Sequence, residues 1–219
     1  MNLGGAIVHT ALSEKRYKVA VSADVGAVFI NERVQGEATG SRAGAKLTPE
    51  HFTMVMSGSE DRAVEIHFAG SAPKSTKITP PLPPELTSRR PPKEGDLRGV
   101  LDPFSALLSA SLKLSPSGNP CNGVLPIYLG QTRFDVSLHP MPKAGAESAA
   151  TVTCQARYAM AGGAAPAGGG GYEGAQFRKP EVIFVRLSKP NLWLLQRLSL
   201  PTPFGTVIVD RAETAVSGS

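Results

Sequence analysis

The feature that most constrains the fold is a two-residue alternation of apolar and polar side chains. In residues 64–68, three apolar side chains alternate with Glu65 and His67. The same alternation recurs in residues 17–21, 52–56, 133–138 and 151–158. Because successive side chains of a strand point to opposite faces, this pattern indicates strands with one buried face. The chain is therefore predicted to be built mainly from antiparallel strands.

The last third of the sequence is more uniformly apolar. Its runs cover residues 182–187, 192–195 and 204–209. Such runs are typical of strands that are covered on both faces, or that belong to a strongly curled sheet. Two further segments, 3–10 and 34–42, are weaker strand predictions. The second is weak because most of its side chains are small or polar.

One segment, at about 102–113, predicts a helix. Asp102 is a favourable N-cap, and Pro103 suits the first helical position, where its missing N–H costs nothing. Four apolar side chains then share one face at helical spacing: Phe104, Leu107, Leu108 and Leu112. A helix this short is unstable alone, so it should dock on the sheet. The predicted fold is mainly β, a curled antiparallel sheet (an open or half barrel) packed around one short α-helix.

The 219 residues are predicted to form a single β-rich domain, 1–219. A Pro-rich loop at 80–92 could separate two domains, but the strands before it lack a core of their own. A Gly/Ala-rich segment at 161–174 is predicted to be a flexible loop.

The net charge of +5 comes from scattered Lys and Arg residues, so nucleic-acid binding is not predicted. No apolar window reaches the ~18 residues of a membrane helix, so the chain is not expected to span a membrane. Residues 1–6 do not read as an export signal and run directly into strand-like sequence. The chain is therefore expected to begin inside a longer protein.

No motif identifies a catalytic, cofactor or metal site. The Gly-rich run at 162–171 lacks the Lys-Ser/Thr of a phosphate loop, and no Gly-x-Ser-x-Gly elbow occurs. The histidines lack the local pairing of zinc ligands; they are His9, His51, His67 and His139. We therefore predict no catalytic, cofactor-binding or metal residues. The sequence leaves open acid–base catalysis by two carboxylates that are distant in the sequence and close together in the fold.

Six apolar side chains are candidates for the lining of a cavity: Phe104, Leu108, Tyr128, Phe184, Trp193 and Leu195. Ordinary core packing is the first interpretation of all six. The alternative is a ligand cavity, since curled antiparallel sheets readily enclose an apolar ligand.

Cys121 and Cys154 are the two cysteines of the chain. In a reducing compartment they would be two unrelated buried residues. In an oxidising compartment they could close a loop of about 30 residues, which would stabilise the fold by ~3–4 kcal/mol. The residues alone leave both possibilities open.

Three segments together resemble a bacterial family of uncharacterised envelope proteins, domain of unknown function 3108. They are RGVLDPFSALL at 98–108; PCN, LPIY and GQTRFD at 120–122, 125–128 and 130–135; and CQARY at 154–158, followed by LPTPFGT at 200–206. Their order and spacing agree from about residue 3 to residue 213.

The resemblance implies a periplasmic location, because members of the family usually carry an export signal. It also implies a genuine Cys121–Cys154 disulfide. The family opens on a Leu-Gly-Gly motif like Leu3-Gly4-Gly5, so the export signal is expected to be missing from this chain. The family has no assigned reaction, and the sequence departs from its pattern after Tyr158.

Three functional hypotheses follow. The first is a non-enzymatic periplasmic envelope protein that binds an apolar, lipid-like ligand or an envelope partner, in a fold that resembles periplasmic lipoprotein carriers. The second is a hydrolase-type enzyme whose site assembles from scattered strand residues, which predicts convergent ionisable groups with perturbed pKa values. The third is a purely structural interaction module, which predicts an exposed apolar patch.

Overall fold

The structure is a computed structural model that describes residues 4–27, 30–58, 61–82, 91–113, 121–141, 151–162, 180–187, 192–202 and 205–211. Strands dominate these ranges, and one α-helix, α1 (Pro103–Lys113), lies between two groups of strands in the sequence. A single 3-10 turn at Glu94–Leu97 precedes the helix.

The first six strands form one sheet in chain order, each antiparallel to the next. They are β1 (Gly4–Leu12), β2 (Arg16–Ala27), β3 (Ile30–Ala43), β4 (Lys46–Ser57), β5 (Arg62–Ala69) and β6 (Ala72–Thr79).

The last six strands form a second antiparallel sheet, again with sequence neighbours side by side. They are β7 (Gly123–Tyr128), β8 (Arg133–Pro140), β9 (Thr151–Gly162), β10 (Glu181–Leu187), β11 (Leu192–Thr202) and β12 (Gly205–Asp210).

The predicted mainly β, antiparallel fold with one short helix is confirmed. Over its described residues, every predicted strand segment coincides with a strand, including the weaker predictions 3–10 and 34–42, and residues 3 and 204 lie outside the described ranges. Two strands gave no signal. β6 is mostly exposed and therefore has no apolar alternation. β7 contains Pro126, and a proline argues against a strand because it has no backbone N–H to donate.

The predicted loops fall largely outside the described residues. In the Pro-rich segment 80–92, residues 83–90 are not described. In the Gly/Ala-rich segment 161–174, only residues 161 and 162 are described, as the end of β9. The flexibility predicted for that loop therefore stays a prediction.

The chain divides into two compact units. The first contains Met1–Ala110, Leu125–Val136 and Ala159–Gly169, and the second contains Ser111–Val124, Ser137–Tyr158 and Gly170–Ser219. The single domain 1–219 stays a prediction.

In the first unit, the start of α1 packs on the buried face of the sheet. The rings of Phe104 and Phe52 meet edge to face with their centroids 5.2 Å apart. Two strands away, on β2, the hydroxyl of Tyr17 lies 2.7 Å from that of Ser105. These contacts give the short helix the docking surface that its length requires.

Two glycines of β3 make room for this packing. A Cβ atom on Gly36 would lie 2.9 Å from Cε2 of Phe104, and one on Gly40 would lie 2.7 Å from the Tyr17 ring. Both positions would also clash with the backbone of β4. Small residues make segment 34–42 a weak strand prediction. The same small residues allow aromatic rings to pack against this strand.

Among the described residues, no helix combines the length and the apolar character needed to cross a bilayer.

Candidate functional site

Three of the six predicted cavity residues lie together on one face of the second sheet. In the register between β10 and β11, Phe184 is paired with Leu195, and Trp193 is paired with Arg186 two positions along. Phe184 is also paired with Val152 on β9. Because positions two residues apart on a strand share a face, these side chains form one largely apolar surface. We call Phe184, Trp193, Leu195 and Val152 the Trp193 face.

A β-bulge between Ile183 and Phe184 in the β10–β11 pairing helps to set this face. It brings Phe184 opposite Leu195 and leaves Leu194 opposite Val185, on the other side of the sheet. Leu194 and Leu195 are therefore adjacent in sequence but belong to opposite faces.

The Trp193 indole combines burial with an unused hydrogen-bond donor. Trp193 is 6% exposed, and its Nε1 has no hydrogen-bond partner among the described residues. Tryptophan N–H groups normally find a partner when they are buried, and leaving one unpaired costs about 1–3 kcal/mol. The Trp193 face therefore places this donor among apolar side chains, with Arg186 paired opposite Trp193 on the same face. Such an arrangement is suited to an apolar ligand that carries an acceptor.

The other three predicted residues lie in the first unit and are explained by core packing. Phe104 packs on Phe52, and Leu108 is buried on the same helix. The Tyr128 hydroxyl donates to the carbonyl oxygen of Gly130 and lies 3.4 Å from Oγ1 of Thr76. Burial raises the pKa of Tyr128, which keeps the hydroxyl protonated. For these three residues, the structure thus favours the first interpretation, ordinary core.

The two cysteines lie close together in the second unit. Their Sγ atoms are 2.20 Å apart, their Cα atoms are 5.2 Å apart, and both residues are fully buried. Cys154 is paired in register with Val182 on β10. The two cysteines are therefore at disulfide distance, as the family resemblance implied.

The predicted cap of α1 is confirmed by two hydrogen bonds. The backbone N–H groups of Phe104 and Ser105 donate to Oδ1 of Asp102, at 3.0 Å and 2.8 Å. The second carboxylate oxygen, Oδ2, is buried and has no partner among the described residues. Burial raises the pKa of Asp102, while hydrogen bonds from Ser105 and from nearby backbone groups oppose that shift.

Sequence reasoning missed the buried polar cluster that this cap belongs to. Ser105 joins the Asp102 cap to the Tyr17 hydroxyl, and all three side chains are buried. Burial also raises the pKa of Tyr17. A hydrolytic nucleophile must meet its substrate, whereas Ser105 is fully buried and bonded to Tyr17. The cluster is therefore suited to anchoring the helix on the sheet.

A second cluster that sequence reasoning missed lies on the exposed face of the first sheet. Nε2 of His51 and Nε2 of His67 lie 3.1 Å and 3.2 Å from the same oxygen, Oε1 of Glu65. His51 and His67 are directly paired across β4 and β5, and their rings stack with centroids 4.5 Å apart. In the sequence, only the Glu-x-His spacing of residues 65 and 67 indicates this cluster. His51 is distant in sequence and lies beside them because β4 pairs with β5.

The hydrogen bond from His51 is the main cause that lowers the pKa of Glu65, and His67 adds to it. The carboxylate is therefore held in its charged form.

Comparison of the chain with protein-family models, with curated proteins and with solved structures finds no match. The resemblance to domain of unknown function 3108 therefore stays a prediction.

Proposed function

We propose that this protein is a non-catalytic binding protein of the bacterial envelope, which holds an apolar, lipid-like ligand against the Trp193 face. The observation that carries the proposal is the buried Nε1 of Trp193, which has no partner among the described residues and lies on a face shared with Phe184 and Leu195. A ligand with an apolar chain and one acceptor, such as a fatty acid or an ester lipid, would supply the missing partner.

The cysteine pair supports a location outside the cytoplasm. Disulfides persist in oxidising compartments such as the periplasm and are rare where thiols are kept reduced. Cys121 and Cys154 are at disulfide distance and buried, so their oxidation fits the fold without rearrangement. We therefore assign the protein to the periplasm, in line with the family that it resembles.

Native mass spectrometry of protein purified from the periplasm, followed by lipid extraction, tests the proposal. We expect the protein to carry an apolar small molecule, and the delipidated protein to bind a fluorescent fatty acid. Protein that carries no such molecule and binds no fatty acid would contradict the proposal.

Two neighbouring leucines provide a matched pair of variants. Leu195→Ser alters the Trp193 face, whereas Leu194→Ser makes the same chemical change on the opposite face of the sheet. We expect the first variant to weaken binding of the fatty acid and the second to leave it close to that of the wild type. Equal losses in the two variants would show that the Trp193 face is not the binding surface.

Strand β1 favours a second candidate function, the binding of a protein partner. It is an edge strand of the first sheet, and it exposes Ile7 by 61% and Val8 by 46%. An exposed apolar edge strand is a template for pairing with a strand of another protein. A photo-crosslinking residue placed at Val8 should capture one discrete partner in the periplasm, while one at Lys15 should not. Equal crosslinking at the two positions would contradict this candidate.

A further inference from the structure

The three side chains His51, Glu65 and His67 converge from two paired strands. His67 and Glu65 are two residues apart on β5 and share its exposed face, and His51 is paired with His67 from β4. The buried side chains of the same strands, such as Phe52 and Ile66, point to the opposite face. The backbone of the sheet thus holds the three groups together, without any loop between them.

The separations of these groups match those of metal ligands. Their ligand atoms all lie within 4.8 Å of one another, and both imidazole nitrogens are 3.1–3.2 Å from the shared carboxylate oxygen. A tetrahedral ion ~2.1 Å from each ligand places neighbouring ligand atoms ~3.4 Å apart. Small side-chain rotations would therefore allow all three groups to bind one ion.

We propose that His51, Glu65 and His67 form a binding site for a divalent transition-metal ion of the zinc class. Two imidazoles and one carboxylate select Zn²⁺, Cu²⁺ or Ni²⁺ over Mg²⁺ and Ca²⁺, which prefer oxygen ligands. The site is half-exposed, with side-chain exposures of 40%, 42% and 53%. A fourth coordination position would therefore face water, as in open three-ligand zinc sites.

The neighbours of the cluster on the same sheet face are mainly small polar residues. Thr39 is paired with His51, and Ser75 is paired with His67. Lys77 is paired with Glu65 and is the nearest cation in the register of the strands. The register thus places two short polar side chains and one cation beside the cluster.

Isothermal titration calorimetry of the full chain without a polyhistidine tag, titrated with ZnCl₂, tests the proposal. We expect one ion per chain with a Kd below about 100 µM, and a loss of affinity of at least about tenfold in His51→Ala and in His67→Ala. Because imidazole binds metal only when it is unprotonated, binding should also weaken on acidification.

The matched control is His139→Ala, which removes an exposed histidine whose Nε2 lies 3.1 Å from the hydroxyl of Ser137. This variant should bind Zn²⁺ with the affinity of the wild type. Circular dichroism should confirm that all variants fold, since the substituted side chains are on the exposed face. A wild-type Kd for Zn²⁺ above about 100 µM would overturn the proposal. Zn²⁺ binding that His51→Ala and His67→Ala leave unchanged would also overturn it.

Discussion

The hydroxyl groups of Tyr17 and Ser105 lie 2.7 Å apart in the buried interior of the first unit, where they join β2 to the first turn of α1. Ser105 also donates its backbone N–H to the capping carboxylate of Asp102. One residue thus connects the cap of the helix with the strand on which the helix docks. This connection fixes the position of a helix that is too short to be stable alone.

The Tyr17–Ser105 contact predicts a measurable coupling. Tyr17→Phe and Ser105→Ala should each lower the free energy of unfolding by about 1–3 kcal/mol, because each removes the buried hydrogen bond between the two hydroxyls. The double variant should lose less than the sum of the two, with a coupling energy of about 1 kcal/mol. Urea denaturation of the four proteins measures this cycle, and additive losses would show that the two hydroxyls do not interact.

The cap of α1 predicts different costs for two substitutions. Asp102→Ala should destabilise the protein by about 1 kcal/mol through loss of the cap, whereas Asp102→Asn keeps an oxygen for the same backbone N–H groups. Equilibrium unfolding in urea at a single low pH compares the two variants. Equal stability of Asp102→Ala and the wild type would contradict the role of this carboxylate as the cap.

The raised pKa of Asp102 also predicts a pH dependence. Because burial favours the protonated acid, the folded state loses stability as the pH rises from the ordinary value of 3.8 through the raised value. Asp102→Asn lacks this charge, so its stability relative to the wild type should increase over the same pH window. A stability difference that is constant with pH would show that Asp102 titrates normally in the folded state.

The glycines of β3 predict a strong effect of a single methyl group. Gly36→Ala places a Cβ atom 2.9 Å from the Phe104 ring and against the backbone of β4, so it should destabilise the protein by about 1–3 kcal/mol. The matched control is Gly5→Ala on β1, where an added Cβ atom meets nothing within 4 Å. Thermal denaturation compares the two variants. A control that loses as much stability as Gly36→Ala would contradict this account of how the helix packs.

The cysteine pair predicts that reduction weakens the fold. The two residues are separated by 33 positions, and a crosslink over such a loop stabilises a protein by about 3–4 kcal/mol in the chain-entropy model. Treatment with dithiothreitol should therefore lower the Tm of protein purified from the periplasm. The Cys121→Ala/Cys154→Ala double variant should have this lower Tm with or without the reductant. Free thiols in the exported wild-type protein would contradict a disulfide between Cys121 and Cys154.

Much of the fold could be predicted from the sequence, because its signals are local. The alternation in segments such as 64–68 and the Asp102-Pro103 start of α1 each depend on a few neighbouring residues. β6 could not be predicted in this way, because it is mostly exposed and carries no apolar stripe. The division of the strands into two sheets was also missed, since strand alternation does not specify which sheet a strand joins.

The candidate sites depend on pairing over long sequence distances and were predicted only in part. The apolar residues of the Trp193 face could be selected by residue type. That the N–H of Trp193 has no partner in the described part of the chain is visible only from the structure around it. His51 and Glu65 come from different strands, so no motif search of the sequence could join them. The Tyr17–Ser105 contact spans 88 positions and has no local signature.

The hydrogen bond proposed for Trp193 can be tested by removing the donor. Trp193→Phe keeps an aromatic ring on the Trp193 face but lacks the indole N–H. We expect it to bind a fatty acid about five- to tenfold more weakly than the wild type, because one hydrogen bond contributes about 1 kcal/mol to binding. Calorimetric titration measures both affinities, and unchanged affinity would show that Nε1 makes no bond to the ligand.

The most direct test of ligand binding at the Trp193 face uses the fluorescence of Trp193 itself, which is the single tryptophan of the chain. Delipidated protein is titrated with a fatty acid that carries a nitroxide quencher on its chain, and with the unlabelled fatty acid as the control. The account predicts saturable quenching by the labelled compound, which excess unlabelled fatty acid reverses. Fluorescence that the labelled fatty acid leaves unchanged, or quenching that does not saturate, would contradict it.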